Sequence, residues 1–203
     1  MPDEREVTTP MSGAAQAAEI ALELGMEGKQ MLITEEGVGS DLLPSIFAFD
    51  AWGQPLGYGI HVDAGETGTF EALMNATAVM RRAWGCETVV YMVEGYTAPS
   101  GSSDQRSLQL RFPTDKDVHE CLTAQAVCSD GSTAHAVQPY TVGVGRLVHW
   151  RERSVRLVEE DTDNLFTDVA LDVLTDTPYD PEGMTWEDGF IALSELGFVA
   201  VVA

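Results

Sequence analysis

Glu94 is the acid in this sequence best placed to do chemistry. It follows the run Thr88–Val93, which is apolar on both faces and reads as a central strand. A carboxylate at the end of such a strand is a candidate for a raised pKa and for proton transfer. Its neighbour Tyr96 supplies a hydroxyl. An enzyme of hydrolase type centred on Glu94 would need a concave pocket there and a second titratable group. The plainer alternative is a strand-end carboxylate, solvated or paired with Arg106 or Arg111.

The other chemistry-bearing residues point away from catalysis. Of the four histidines, His61, His119, His135 and His149, no two share metal spacing on a helix, and no His-Glu-x-x-His occurs. His119 and His135 fall on the two strands of one expected hairpin. Symmetric pairing about Asp130-Gly131 sets His135 opposite about Ala126, far from His119. Gly37-Val38-Gly39-Ser40 is not the Gly-x-Ser-x-Gly of a nucleophile elbow. Gly143-Val144-Gly145 lacks the third glycine and the helix of a dinucleotide loop, and no P-loop is present. Asp161-Thr162-Asp163-Asn164 lacks the glycine and terminal glutamate of a calcium loop, so a helix cap at Asp161 or Thr162 is the better account. No metal, cofactor or small-molecule ligand is expected.

Charge is the loudest feature. Thirty-three acids oppose eleven bases for a net −22 over 203 residues. Such a surface repels nucleic acid phosphates and anionic membranes. It reads as a solubility or salt-adaptation device, or as a face for a basic partner. Arg146, Arg151, Arg153 and Arg156 form the one dense basic patch, with Trp150 among them, directly before an acidic tail. An internal ion-paired docking of tail against patch is the expectation, with Trp150 and the arginine stems packed in the seam. Cys121 and Cys128 are seven apart on one expected strand and point to opposite faces, so they should not pair. With Cys86 they read as free, buried thiols of a reducing cytoplasm. The polar, acidic N-terminus is no secretory signal, and no apolar run approaches a membrane span of about 18 residues.

The elements that must position these residues read as follows. Residues 1–11 form a polar, mobile arm. Ser12 caps a helix to about Leu24, ended by Gly25 and Gly28. Ser45–Asp50 and Pro55–Val62 make a hairpin, and Gly57 and Gly59 on one of its faces signal close approach beneath a helix or another chain. Thr69 caps a helix that Gly85 stops. The strand Thr88–Val93 follows, then an insertion loop over 98–117 with a short strand at Leu108–Phe112. Glu120–Val127 and Thr133–Thr141 form a second hairpin about Asp130-Gly131. Gly145–Trp150 and Ser154–Val158 are further strands. After Arg156 the chain has no Lys or Arg, and twelve acids follow through Glu195. Yet Leu165, Phe166, Val169, Val173 and Leu174 outline an amphipathic helix. Thr185-x-x-Asp188 reads as a capping box before Phe190, Leu193 and Leu196, and Phe198–Val202 is an apolar strand.

The order α-ββ-α-β-(β)-ββ-β-α-α-β predicts an α+β fold with a mainly antiparallel sheet and flanking helices. The domain reading is a core over 12–160 and an acidic helical extension over 161–203. The middle of the chain has the element order of roadblock-like and profilin-like sandwiches, a fold analogy that carries no function. Over about residues 44–142 it also resembles a family of bacterial and phage proteins of unknown function. The resemblance rests on Val93-Glu94-Gly95-Tyr96, on Asp117-Val118-His119-Glu120-Cys121-Leu122, where Val118 replaces the family's arginine, and on Ser129-Asp130-Gly131. It implies a fold and carries no activity, cofactor or partner. The expectation for function is a cytoplasmic, non-catalytic accessory protein that acts through contacts with a protein partner or with its own copies. An acidic nucleic-acid mimic or inhibitor of a basic protein is one alternative, and the Glu94 enzyme the other.

Overall fold

Among the described residues twelve elements arise where hydrophobic period and turn chemistry agree, and a single sheet gathers the strands. The computed structural model of the protein describes residues 13–37, 39–62, 68–97, 119–158 and 165–202. The expected arm 1–11, the cap at Ser12, the strand Leu108–Phe112, and Arg106, Arg111, Val118, Asp161 and Thr162 lie outside them. Helix α1 (Gly13–Glu35) precedes the hairpin β1 (Ser45–Phe49) and β2 (Pro55–His61). Helix α2 (Thr69–Trp84) leads to β3 (Thr88–Thr97). β4 (His119–Cys128), β5 (Thr133–Val142), β6 (Val148–Trp150) and β7 (Ser154–Leu157) follow. The tail holds α3 (Leu165–Asp176), α4 (Trp186–Glu195) and β8 (Phe198–Val202). The fold is α+β, with every strand pair antiparallel in the order β6-β5-β4-β3-β1-β2-β8. β7 pairs with β5 at Ala134–Val137, beside the Tyr140–Val142 stretch that holds β6.

The centre of the sheet is covered on both faces, which is why β3 is apolar on both. Val90 and Met92 join Leu122, Ala124 and Ala126 under α1, while Val89 and Tyr91 join Ile46, Ala48 and Val127 under α2, α3 and α4. Side chains alternate between faces, so one strand serves two cores. The three cysteines are free and buried, as expected, and Cys121 and Cys128 sit an odd number of residues apart on β4. His135 faces Gln125, one residue from the position expected, and remains far from His119, which pairs with Thr97.

Two helix boundaries differ from the sequence reading. α1 does not end at Gly25 or Gly28 but runs on to Glu35. Neither glycine has a positive φ. Gly25 instead lets the helix sit close to the sheet, where a Cβ would run into the Met92 thioether and the Leu122 methyl. α2 is preceded by Gly68, not by a Thr69 cap, and no side chain caps it. Its other end follows expectation, with Gly85 at φ 68° and its N–H bonded to Arg81 O.

The tail belongs to the sheet. The capping box forms, with Thr185 and Asp188 exchanging both bonds. β8 pairs with β2 from His61↔Phe198 to Gly57↔Val202. The two β2 glycines now have a reason. A Cβ at Gly57 would lie 2.7 Å from Val201 O and 3.2 Å from the Trp84 ring, and one at Gly59 would lie 3.1 Å from Phe198. α3 and α4 close the second core with Ala170, Leu174 and Leu193, and Trp84 stacks on Trp186 at 5.2 Å.

Candidate functional site

The extension of α1 by three turns past Leu24 carries Lys29 over the end of β3, and there it meets Glu94. The two ions are 2.6 Å apart, with side chains only 2% and 7% exposed. Glu94 Oε1 accepts from Lys29 Nζ and from the Tyr140 hydroxyl, and Oε2 accepts from the Leu42 backbone N–H at 2.6 Å. Lys29 also donates to Ser40 O at 2.6 Å and lies 5.3 Å from the centre of the Tyr140 ring. Position 94 falls on the α1 face because it shares the parity of Val90 and Met92. Tyr140 reaches the same face from β5, and Trp150 packs edge-on against it at 5.3 Å.

Burial pushes the Tyr140 hydroxyl far up, reinforced by its bond to Glu94 and by the charges of Glu94, Glu120 and Asp41. It is a proton donor and stays one. Each Glu94 oxygen is engaged, so the carboxylate joins β3, α1, β5 and the loop before β1 into one knot. The sequence reading paired Glu94 with Tyr96 for its hydroxyl and with Arg106 or Arg111 for its cation. Among the described residues its partners are instead Tyr140 and Lys29, and Lys29 is delivered by turns of α1 that lie past the helix end expected at Gly25 and Gly28. Tyr96 is exposed and lines a small hollow of about 100 Å³ with Asp41, Leu42, Glu94, Gly95 and Glu120.

Among the described residues, the partners of the four arginines lie outside the tail. Arg146 holds φ 62°, donates to Thr34 O in the last turn of α1, and accepts at its own carbonyl from Gln30 Nε2. Arg151 meets the His119 ring at 3.0 Å. Arg153 bonds Gln138 Oε1 and the Met26 sulfur, and lies 3.5 Å from Glu23. Arg156 stands opposite His135, whose pKa is lowered by burial and then by that guanidinium. Among the described residues the expected ion-paired seam between tail and arginines is therefore not formed. Arg146, Arg151 and Arg153 rivet the β5, β6 and β7 edge to α1 and β4. The tail helices pack instead on α2, on the opposite face, through apolar contacts, Arg81 to Thr177 O, and Asp180 N–H to Arg82 O.

Along the solvent side of α1 runs a groove of about 620 Å³. Glu23, Glu27 and Glu35 edge it, Met26, Met31 and Trp150 give it apolar surface, and Gln30 and Thr34 complete it. Met31 is 62% exposed. Of these residues the sequence reading singled out Trp150 alone. The signal was present, since 23, 27, 31 and 35 recur every four residues and so share a helix face, but it is legible only once the helix is allowed past Gly28. Among the described residues no group of three or more His, Cys, Asp or Glu could hold a metal ion, and no helix is long and apolar enough to cross a membrane. The chain matches no protein-family model, no curated protein and no solved structure.

Proposed function

We propose that this protein is a non-catalytic binding module and that the α1 groove takes a basic, amphipathic segment of a protein partner. The observation that carries the reading is the juxtaposition in that groove of three carboxylates with two methionines and a tryptophan. Carboxylates draw in lysine or arginine and hold them with directional bonds. Methionine adapts to varied apolar side chains, and an aromatic floor supplies contact area. The net −22 steers any cationic partner toward the surface. The Glu94 enzyme is less well supported, because that carboxylate already accepts three hydrogen bonds and its hollow is small.

A nucleic-acid mimic has one observation in its favour. Glu19, Glu23 and Glu27 stand four apart on α1, a row spaced by about 6 Å. Methionines and a tryptophan beside that row suit an amphipathic segment better than a protein shaped for phosphates.

The test titrates a labelled helical peptide with leucines on one face and lysines on the other, beside a scrambled peptide of equal composition. Binding by the ordered peptide is expected, weakened about tenfold or more between ~50 mM and ~0.5 M NaCl, and abolished in Glu27→Lys with Met31→Glu. Equal binding of both peptides, or binding unchanged in the double variant, defeats the groove.

A further inference from the structure

We propose that two copies of this chain associate through β8, edge to edge, into a symmetric dimer with one continuous sheet. Among the described residues β8 pairs only with β2, so its other edge presents unpaired backbone N–H and C=O groups. Sheet edges are ordinarily protected by lysine, proline, a bulge or an inward charge. β8 reads Phe-Val-Ala-Val-Val and contains none of these. Val199, Val201 and Val202 are exposed. Val199 and Val201 flank Ile60 and Tyr58 across the ladder, on the α1 side of the sheet. α1 covers β3, β4 and β5 there and leaves this end open.

Electrostatics selects the occupant. A chain with net charge −22 can meet its own copy only where carboxylates are absent. Neither β8 nor its neighbour β2 carries an acid. A basic partner gains nothing at such a surface, whereas a second copy finds its match. Antiparallel pairing about a two-fold axis through Ala200 sets Val199 opposite Val201 of the second copy and Phe198 opposite Val202. Each copy offers the other the same surface, as an isologous contact requires. Glu187 and Glu195 bracket the exposed Ile191 on α4, which lies against β8. Two copies that each carry a net −22 repel at long range, so salt tightens the dimer. The groove contact responds in the opposite sense, and failure of either proposal is read independently of the other.

Sedimentation velocity of the full chain is the test. A five-residue junction is small, so the mass is expected to double between ~2 and ~200 μM, at lower concentration as NaCl rises. Val201→Lys is expected to stay monomeric throughout, with unchanged far-ultraviolet circular dichroism and melting. Adding Val199→Glu places opposite charges across the axis and restores the dimer. A wild-type chain still monomeric at ~200 μM overturns the proposal and assigns the edge to another segment of this chain or to a foreign strand. A Val201→Lys chain that dimerises like wild type overturns it as well. Failure of Val199→Glu to rescue overturns the two-fold register through Ala200.

Discussion

Lys29 and Glu94 meet where neither ion can fall back on water. With side chains 2% and 7% exposed, each depends on the other and on Ser40, Leu42 and Tyr140. Removing one member of a buried pair strands the other, at a cost of about 3–5 kcal/mol. Lys29→Met should therefore lose that much in urea or guanidinium unfolding. Lys29→Met with Glu94→Leu should recover part of the loss, since no uncompensated charge remains. A loss below about 1 kcal/mol for the single variant would mean the pair is hydrated. The protonated groups of the core set a second expectation. Burial raises the Cys86 thiol to about 12 and the Cys121 thiol to about 11, and raises Tyr91 and Tyr140 further. The fold keeps these protons when the unfolded chain has lost them, so stability is complete below the ordinary thiol value of 9.0 and falls as pH rises beyond it. Glu87 has the opposite sign. Its partial burial is outweighed by Ser129 and Arg81, which hold its carboxyl below the usual 4.5, and its contribution is lost as pH falls below that value. Melting temperatures that stay level from about pH 8 to pH 11 would contradict the alkaline limb.

At the scale of elements, two glycines in one helix do different work. Gly25 faces Met92 and Leu122 at close quarters, whereas Gly28 has only a Leu42 methyl at 3.7 Å. Gly25→Ala overpacks the interface between helix and sheet and should cost about 1–3 kcal/mol. Gly28→Ala gains helix propensity with no clash and should stabilise by up to about 1 kcal/mol. Chemical denaturation of both variants separates them by sign. Equal and small effects would mean that α1 does not lie as close to β3 and β4 as described. This distinction also explains why the sequence reading cut α1 short. A glycine that ends a helix and one that permits close packing are the same letter, and only the facing strand tells them apart. Strand ends behave likewise. β3 continues to Thr97, past the expected end at Val93, because β4 supplies a partner as far as His119.

For the whole molecule, the tail decides integrity. α4 and β8 bury Leu193 and Phe198, and cover Trp84 and the β2 edge. Each large apolar side chain returned to water costs roughly 1.5–3 kcal/mol. Several together approach the ~5–15 kcal/mol that holds a domain folded. A chain ending at Gly183 is expected to be insoluble or to lose its cooperative thermal transition. A soluble, cooperatively melting truncation would separate the tail from the core and favour an acidic tail that recruits partners on its own.

Local chemistry was enough to read most elements. Alternating apolar residues mark β2, Asp130-Gly131 places the hairpin of β4 and β5, Thr185 and Asp188 announce α4, and Gly57 and Gly59 foretell a close approach. These signals are written within a few residues, where periodicity and turn geometry act. The partners of Glu94 were not legible, because Lys29 and Tyr140 are 65 and 46 residues away and reach it only through the stacking of α1 on the sheet. The arginines misled for the same reason. Their position before the acidic tail suggested a pairing, yet neighbours in sequence leave on opposite faces of the sheet, since β7 closes one core and α3 begins the cover of the other. Charge fixes what attracts, but the layer in which each element settles decides what touches, and that choice belongs to the burial of apolar faces over the whole chain.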